Sequence, residues 1–123
     1  MPSCVNVIGS LMVDRFVRVS RFPRAGETVA AQSVHIFPGG KGANQAVAAA
    51  RCGATVRMCG RTGAEGRFIV DALQTAGVET AGIRTNDAVS GMAIVTITDS
   101  GENAIIVARE ANARLERGDI EQF

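Results

Sequence analysis

Pro38-Gly39-Gly40-Lys41-Gly42-Ala43-Asn44-Gln45 places three glycines within four positions, and the small-residue run Ala46-Val47-Ala48-Ala49-Ala50 follows at once. Glycine admits positive φ and lets the backbone approach a ligand more closely than a residue with a Cβ allows. Ala43, Ala46, Val47 and Ala50 recur at helical spacing, so a helix starts at the glycines and Gly53 supplies its stop. Free N–H groups at such a start favour anions or polar oxygens, and Lys41 and Asn44 add a charged donor and an amide to the first turn. A glycine turn that only lets a small-faced helix pack on a sheet is the competing reading.

Two common nucleotide loops are excluded. Lys41 is followed by Gly42, where a Walker loop needs Ser or Thr for magnesium, and Gln45 stands where the dinucleotide fingerprint needs its third glycine. With 123 residues, 46% hydrophobic and 20% charged, the chain can build one domain with a core. A net charge of +1 with interspersed signs gives no field to attract nucleic acid or an anionic membrane. No apolar stretch approaches bilayer length and no basic leader precedes one. Cys4, Cys52 and Cys59 form no CxxC pair and sit among apolar or small neighbours, which predicts buried thiols in a reducing cytoplasm.

Val5-Asn6-Val7-Ile8 reads as a buried strand that opens, through Gly9-Ser10, into a loop containing Asp14. Ligands of open α/β sheets bind at that end, so Asp14 is either an acceptor for a hydroxyl or an ordinary turn aspartate. Arg15 to Arg21 alternates charged and apolar residues, a turn runs from Phe22 to Glu27, and Thr28 to Phe37 returns as a second strand. His35 falls at an alternating position without a metal-ligand partner and reads as a strand surface residue. Thr55–Gly60, a helix over Arg67–Ala76 closed by Gly77, and Val78–Thr85 give strand, helix, strand, hence a parallel sheet with crossover helices. Gly91–Thr98 and Ala104–Ala108 flank the turn Asp99-Ser100-Gly101-Glu102-Asn103 as a second hairpin. The predicted fold class is α/β, an incomplete doubly wound parallel sheet with a protruding β lid of two hairpins. The expected division is a body segment at 1–14, a lid hairpin at 15–38, body at 39–90, a second lid hairpin at 91–108, and the start of the next body segment at 109–123. Leu115 to Phe123 can begin a helix with no strand after it, so the pattern predicts a fragment.

Gly9-Ser10 with Asp14, Phe22-Pro23 with Gly26-Glu27-Thr28, Gly39 to Ala46, and Gly101-Glu102-Asn103 with Ala111-Asn112-Ala113 resemble, in order, the amino-terminal part of the ribokinase group in the PfkB family of sugar and nucleoside kinases. The resemblance covers nearly the whole chain. It implies a ribokinase-like fold in which the protruding strands cover a sugar and the paired glycines form a hinge. It implies that Asp14, Gly39, Gly40, Lys41 and Asn44 bind the sugar, which suits the chemistry of a carboxylate facing ammonium and amide donors. It implies ATP and magnesium for the complete enzyme and leaves room for a monovalent cation. The apolar faces of the lid strands need a cover, either the ligand or a second subunit, and a homodimer through those strands is expected.

The departures are specific. This family usually has an asparagine two residues before the aspartate; Met12 stands there, so one hydroxyl contact is missing, which puts ribose in doubt and leaves the sugar unassigned. The acidic turn before the second helix is shortened to Gly63-Ala64-Glu65-Gly66, and Glu110 replaces the glycine that commonly precedes Ala-Asn. The family's Gly-Ala-Gly-Asp-like segment, with the catalytic base and anion hole, is absent, so no catalytic, nucleotide-binding or metal-binding residue is assigned here. The expectation is a sugar-binding half of an ATP-dependent carbohydrate kinase, inactive alone. A nucleoside or sugar-phosphate kinase of the same family, and a non-catalytic sugar-binding or dimerising fragment, are the alternatives.

Overall fold

The computed structural model describes residues 4–123, so the first three residues of the expected 1–14 segment lie outside it. Three parallel strands, β1 (Cys4–Ile8), β4 (Thr55–Thr62) and β5 (Val78–Thr85), form one sheet in the order β1-β4-β5. The helices α1 (Lys41–Arg51) and α2 (Arg67–Thr75) are its crossovers. β4 shows how the sequence covers both faces. Val56 and Met58 point into a core with Val7, Ala43, Ala46, Ile69, Leu73 and Val78, while Arg57, Cys59 and Arg61 point the other way, toward α3 (Arg117–Glu121).

That second contact is polar. Arg61 makes two hydrogen bonds to Asp119, from Nε at 2.9 Å and Nη2 at 2.8 Å, and Arg84 Nε approaches the same carboxylate at 3.3 Å. Hydrogen bonding from Arg61 holds the Asp119 carboxyl below its ordinary pKa. The guanidinium of Arg57 lies over the Phe123 ring, 4.8 Å from its centroid.

The remaining strands, β2 (Met12–Arg18), β3 (Ser33–Gly39), β6 (Gly91–Ile97) and β7 (Asn103–Ala108), make a four-stranded sheet in the order β3-β2-β6-β7. Each hairpin is antiparallel, and the two join through the parallel β2–β6 pair. The fold is thus an open α/β layer with two hairpins fused into one outlying sheet.

Three sequence expectations are corrected. Asp14 lies inside β2, paired with Phe37 and Ala93, because pairing with β3 and β6 already begins at Met12. Residues 28–32 are not strand: Gln32 N–H donates to the Arg18 carbonyl and pairing begins only at Arg18 and Ser33. The connecting loop is fastened instead by Glu27, which accepts from Arg21 and from the Arg24 N–H. Of the three thiols only Cys59 is buried; Cys4 and Cys52 are exposed. Cys4 begins a strand at the sheet edge and Cys52 caps the surface end of α1, so apolar neighbours in sequence did not translate into burial. No helix among the described residues is long and apolar enough to cross a membrane.

Candidate functional site

Glycines bring the two sheets together at one point. A Cβ on Gly42 would lie 2.6 Å from the carbonyl carbon of Gly9, so the head of α1 sits directly on the end of β1. Gly40, the N-cap residue, has φ of 100°, and a Cβ there would lie 2.5 Å from the Ser10 carbonyl oxygen. The Ala43 N–H donates to that same oxygen at 3.1 Å, and the Asn44 N–H donates to the Gly40 carbonyl at 2.9 Å. The loop is therefore rigidly seated, with Ala43 turned into the core and Lys41 and Asn44 exposed.

Asp14 meets this loop at Gly39. The volume a Gly39 side chain would fill is taken by the Asp14 carboxylate. The carboxylate is half-buried and makes no hydrogen bond or ion pair among the described residues. Burial pushes its pKa above the ordinary Asp value. It consequently accepts hydrogen bonds above that raised value and ceases to be a charged acceptor below it.

Lys41 and Asn44 are exposed on the first turn of α1, and Lys41 forms no ion pair with Asp14. The structure thus brings Asp14, Gly39 and Gly40 into contact or direct succession, and leaves the two donor side chains free on the same helix end. Asn44 also lines a cavity of about 610 Å³ between α1 and α2. Asp14 does not line it, and its walls are mainly Val47, Ala48, Ile69, Ala72 and Leu73. Its apolar walls suit a polyol poorly, and the carboxylate that would recognise hydroxyls faces elsewhere.

Asn112 was visible in the sequence only as part of a motif, without a role. Its side chain accepts from the Leu11 N–H and donates to the Leu11 carbonyl, both at 2.9 Å, much as a neighbouring strand would. Leu11 is the residue through which the chain first passes from one sheet to the other, so Asn112 fixes that crossing. Nothing local in the sequence signals this, since the partners are 101 positions apart. Ser90 acts similarly: its hydroxyl pairs with Thr62 at 3.0 Å and accepts from the Gly63 N–H at 2.9 Å.

An open α/β layer, an outlying sheet of two hairpins and a glycine-headed helix at their junction define a protein of the ribokinase-like fold. The chain belongs to the pfkB family of carbohydrate kinases, whose pattern it matches over residues 3–122. It is 44% identical over 111 residues to the ribokinase of Bacillus subtilis, covering 88% of this chain and 38% of that protein. It is 39% identical over 118 residues to the ribokinase of Haemophilus influenzae, covering 94% and 39%. Among solved structures, Arabidopsis thaliana ribokinase complexed with ribose and ATP superposes with a TM-score of 0.81 at 36% identity, over 90% of this chain and 37% of that one. The chain spans about two fifths of the length of these relatives.

Proposed function

We propose that the chain supplies the sugar-binding part of an ATP-dependent carbohydrate kinase, which transfers a phosphoryl group from ATP to a sugar hydroxyl. The observation that carries this reading is the unpaired, half-buried Asp14 carboxylate resting on Gly39 at the head of α1. Asp14 accepts from sugar hydroxyls, Lys41 and Asn44 donate to them from the first turn of α1, and Gly39 and Gly40 allow the close approach. The four-stranded sheet acts as a lid that excludes water, so that the phosphoryl group passes to the sugar. A similar protein complexed with ribose and ATP supports the substrate pair.

ATP and magnesium are assigned to no residue here. Among the described residues no three His, Cys, Asp or Glu side chains gather to hold a metal ion. When bound, the ion would offset charge on the transferring phosphoryl group. This chain's own residues bind and orient the sugar, and the 123 residues alone do not turn it over. A monovalent cation and a cytoplasmic setting belong to the same reading.

Dimerisation through the lid has its own support. The sheet face opposite Asp14 carries Val34, Ile36 and Ile106, exposed at 54%, 48% and 68%. Titration calorimetry tests the main reading: Asp14→Ala weakens pentose binding by roughly tenfold or more, as loss of a charged hydrogen bond predicts, and a coupled assay finds no sugar-dependent ADP formation by the chain alone. Unchanged affinity in Asp14→Ala contradicts the sugar site.

A further inference from the structure

β4 and β5 end side by side at Thr62 and Thr85, and Asn86 continues from β5 with its N–H on the Thr62 carbonyl at 3.0 Å. In an open parallel sheet this carboxyl end is where ligands bind. A cavity of about 420 Å³ lies here, lined by Arg61, Asn86, Asp87, Ala88, Arg114 and Glu116. Neither Asp14 nor any residue of the glycine loop lines it. Ala88 is its one apolar side chain, so the cavity suits a polar occupant.

Three donors on this wall lack partners among the described residues. Asn86 Oδ1 accepts from the Ala88 N–H at 3.2 Å, which fixes the amide, while Asn86 Nδ2 is buried without a hydrogen-bond partner. A buried donor in this state costs free energy that an occupant with an acceptor recovers. Arg61 uses Nε and Nη2 on Asp119 and has no contact through Nη1, and Arg114 takes part in no ion pair.

The two carboxylates differ. Glu116 lies 3.6 Å from Arg61 Nη2 and accepts the Asp119 N–H in its capping box, so it is already committed. Asp87 makes no hydrogen bond or ion pair among the described residues, although Arg114 lines the same cavity. Arg114 and Asp87 thus border one cavity with opposite, unpaired charges. A simple anion meets the Asp87 carboxylate and a simple cation meets two guanidinium groups, whereas a molecule carrying both charges on neighbouring atoms satisfies each.

We propose that this cavity binds a free, polar α-amino acid. Its carboxylate accepts from Arg114, Arg61 Nη1 and Asn86 Nδ2, its ammonium donates to Asp87, and its side chain fills the remaining volume. The site is separate from the sugar site and stands whether or not the chain binds a pentose.

The test is amide chemical-shift titration of the chain with L-serine, L-asparagine and L-glutamine, with N-acetyl-L-serine and L-serinamide as probes that each keep one of the two charges. At least one of the three amino acids gives saturable shifts at Arg61, Asn86–Ala88 and Arg114. Both single-charge probes bind roughly tenfold more weakly or worse, as loss of a charged hydrogen bond predicts. Asp87→Ala and Arg114→Ala each weaken the amino acid by roughly tenfold, and because both residues are exposed the melting temperature stays near that of the unsubstituted chain. Asn86→Asp keeps the acceptor for the Ala88 N–H, replaces the unpartnered donor by a carboxylate oxygen, and abolishes saturation. Absence of saturable shifts with all three amino acids overturns the inference. Equal binding of N-acetyl-L-serine marks a site for anions alone, and equal binding of L-serinamide a site for cations alone; either result overturns it, as does unchanged affinity in Asp87→Ala or Arg114→Ala. Unchanged affinity in a folded Asn86→Asp variant overturns it too; if that variant does not fold, the single-charge probes and the other two variants decide.

Discussion

Gly39 and Asp14 divide one volume between them: the carboxylate occupies the space where any larger residue at 39 would put its side chain. Gly39→Ala therefore displaces the carboxylate rather than the backbone, since Gly39 does not sit at a positive φ. Pentose affinity should fall about as far as in Asp14→Ala, roughly tenfold, while the melting temperature stays near that of the unsubstituted chain, as calorimetry and thermal denaturation would show. Glu110 presents the reverse case. It is the one non-glycine residue with positive φ among those described, at 43°, where a Cβ crowds the following carbonyl. Glu110→Gly relieves that crowding, partly offset by a more flexible unfolded chain, and should raise stability by about 1 kcal/mol in urea titrations. A decrease would mean that the Glu110 side chain contributes more than its backbone costs.

At the level of elements, α3 is held to β4 and β5 by charge as much as by packing. Asp119 is buried, yet its carboxylate is met by Arg61 and Arg84 from two neighbouring strands and accepts from the Glu116 N–H, closing a capping box in which the Asp119 N–H donates back to the Glu116 side chain. Because its pKa is lowered in the folded chain, the stability it contributes is full above the ordinary Asp value and is lost as the pH falls through the lowered one. Asp119→Asn should lower the melting temperature by roughly 5 °C or more at neutral pH and make the melt less sensitive to acid, as calorimetric scans at several pH values would show. An unchanged melt would mean that α3 docks without this contact. The elements themselves were largely legible. β5 falls where alternation and its flanking turns put it, and Gly53 and Gly77, at φ of 92° and 89°, end α1 and α2 as their positions suggested. What was not legible depends on long-range contact. The register of β2 on β6, the late start of β3 and the Asn112 contacts with Leu11 are fixed by partners far along the chain, and local periodicity carries no information about them.

For the whole molecule, the four-stranded sheet meets the α/β layer where Leu11, Gly39 and Asn112 come together, and the candidate site lies at that junction. Its components come from β2, the end of β3 and the head of α1, so the site exists only when both sheets are in place. The glycine loop and Asp14 could be singled out from sequence because their residue types are unusual for their surroundings. That Asp14 rests on Gly39, with Met12 sealed under Asn112, required the assembled fold. Amide chemical-shift mapping on the chain titrated with a pentose decides whether a sugar binds between Asp14 and the head of α1. Saturable shifts should concentrate at Met12–Asp14 and Gly39–Asn44 and disappear in Asp14→Ala; shifts confined to the α1–α2 cavity, or unaffected by loss of the Asp14 carboxylate, would contradict it.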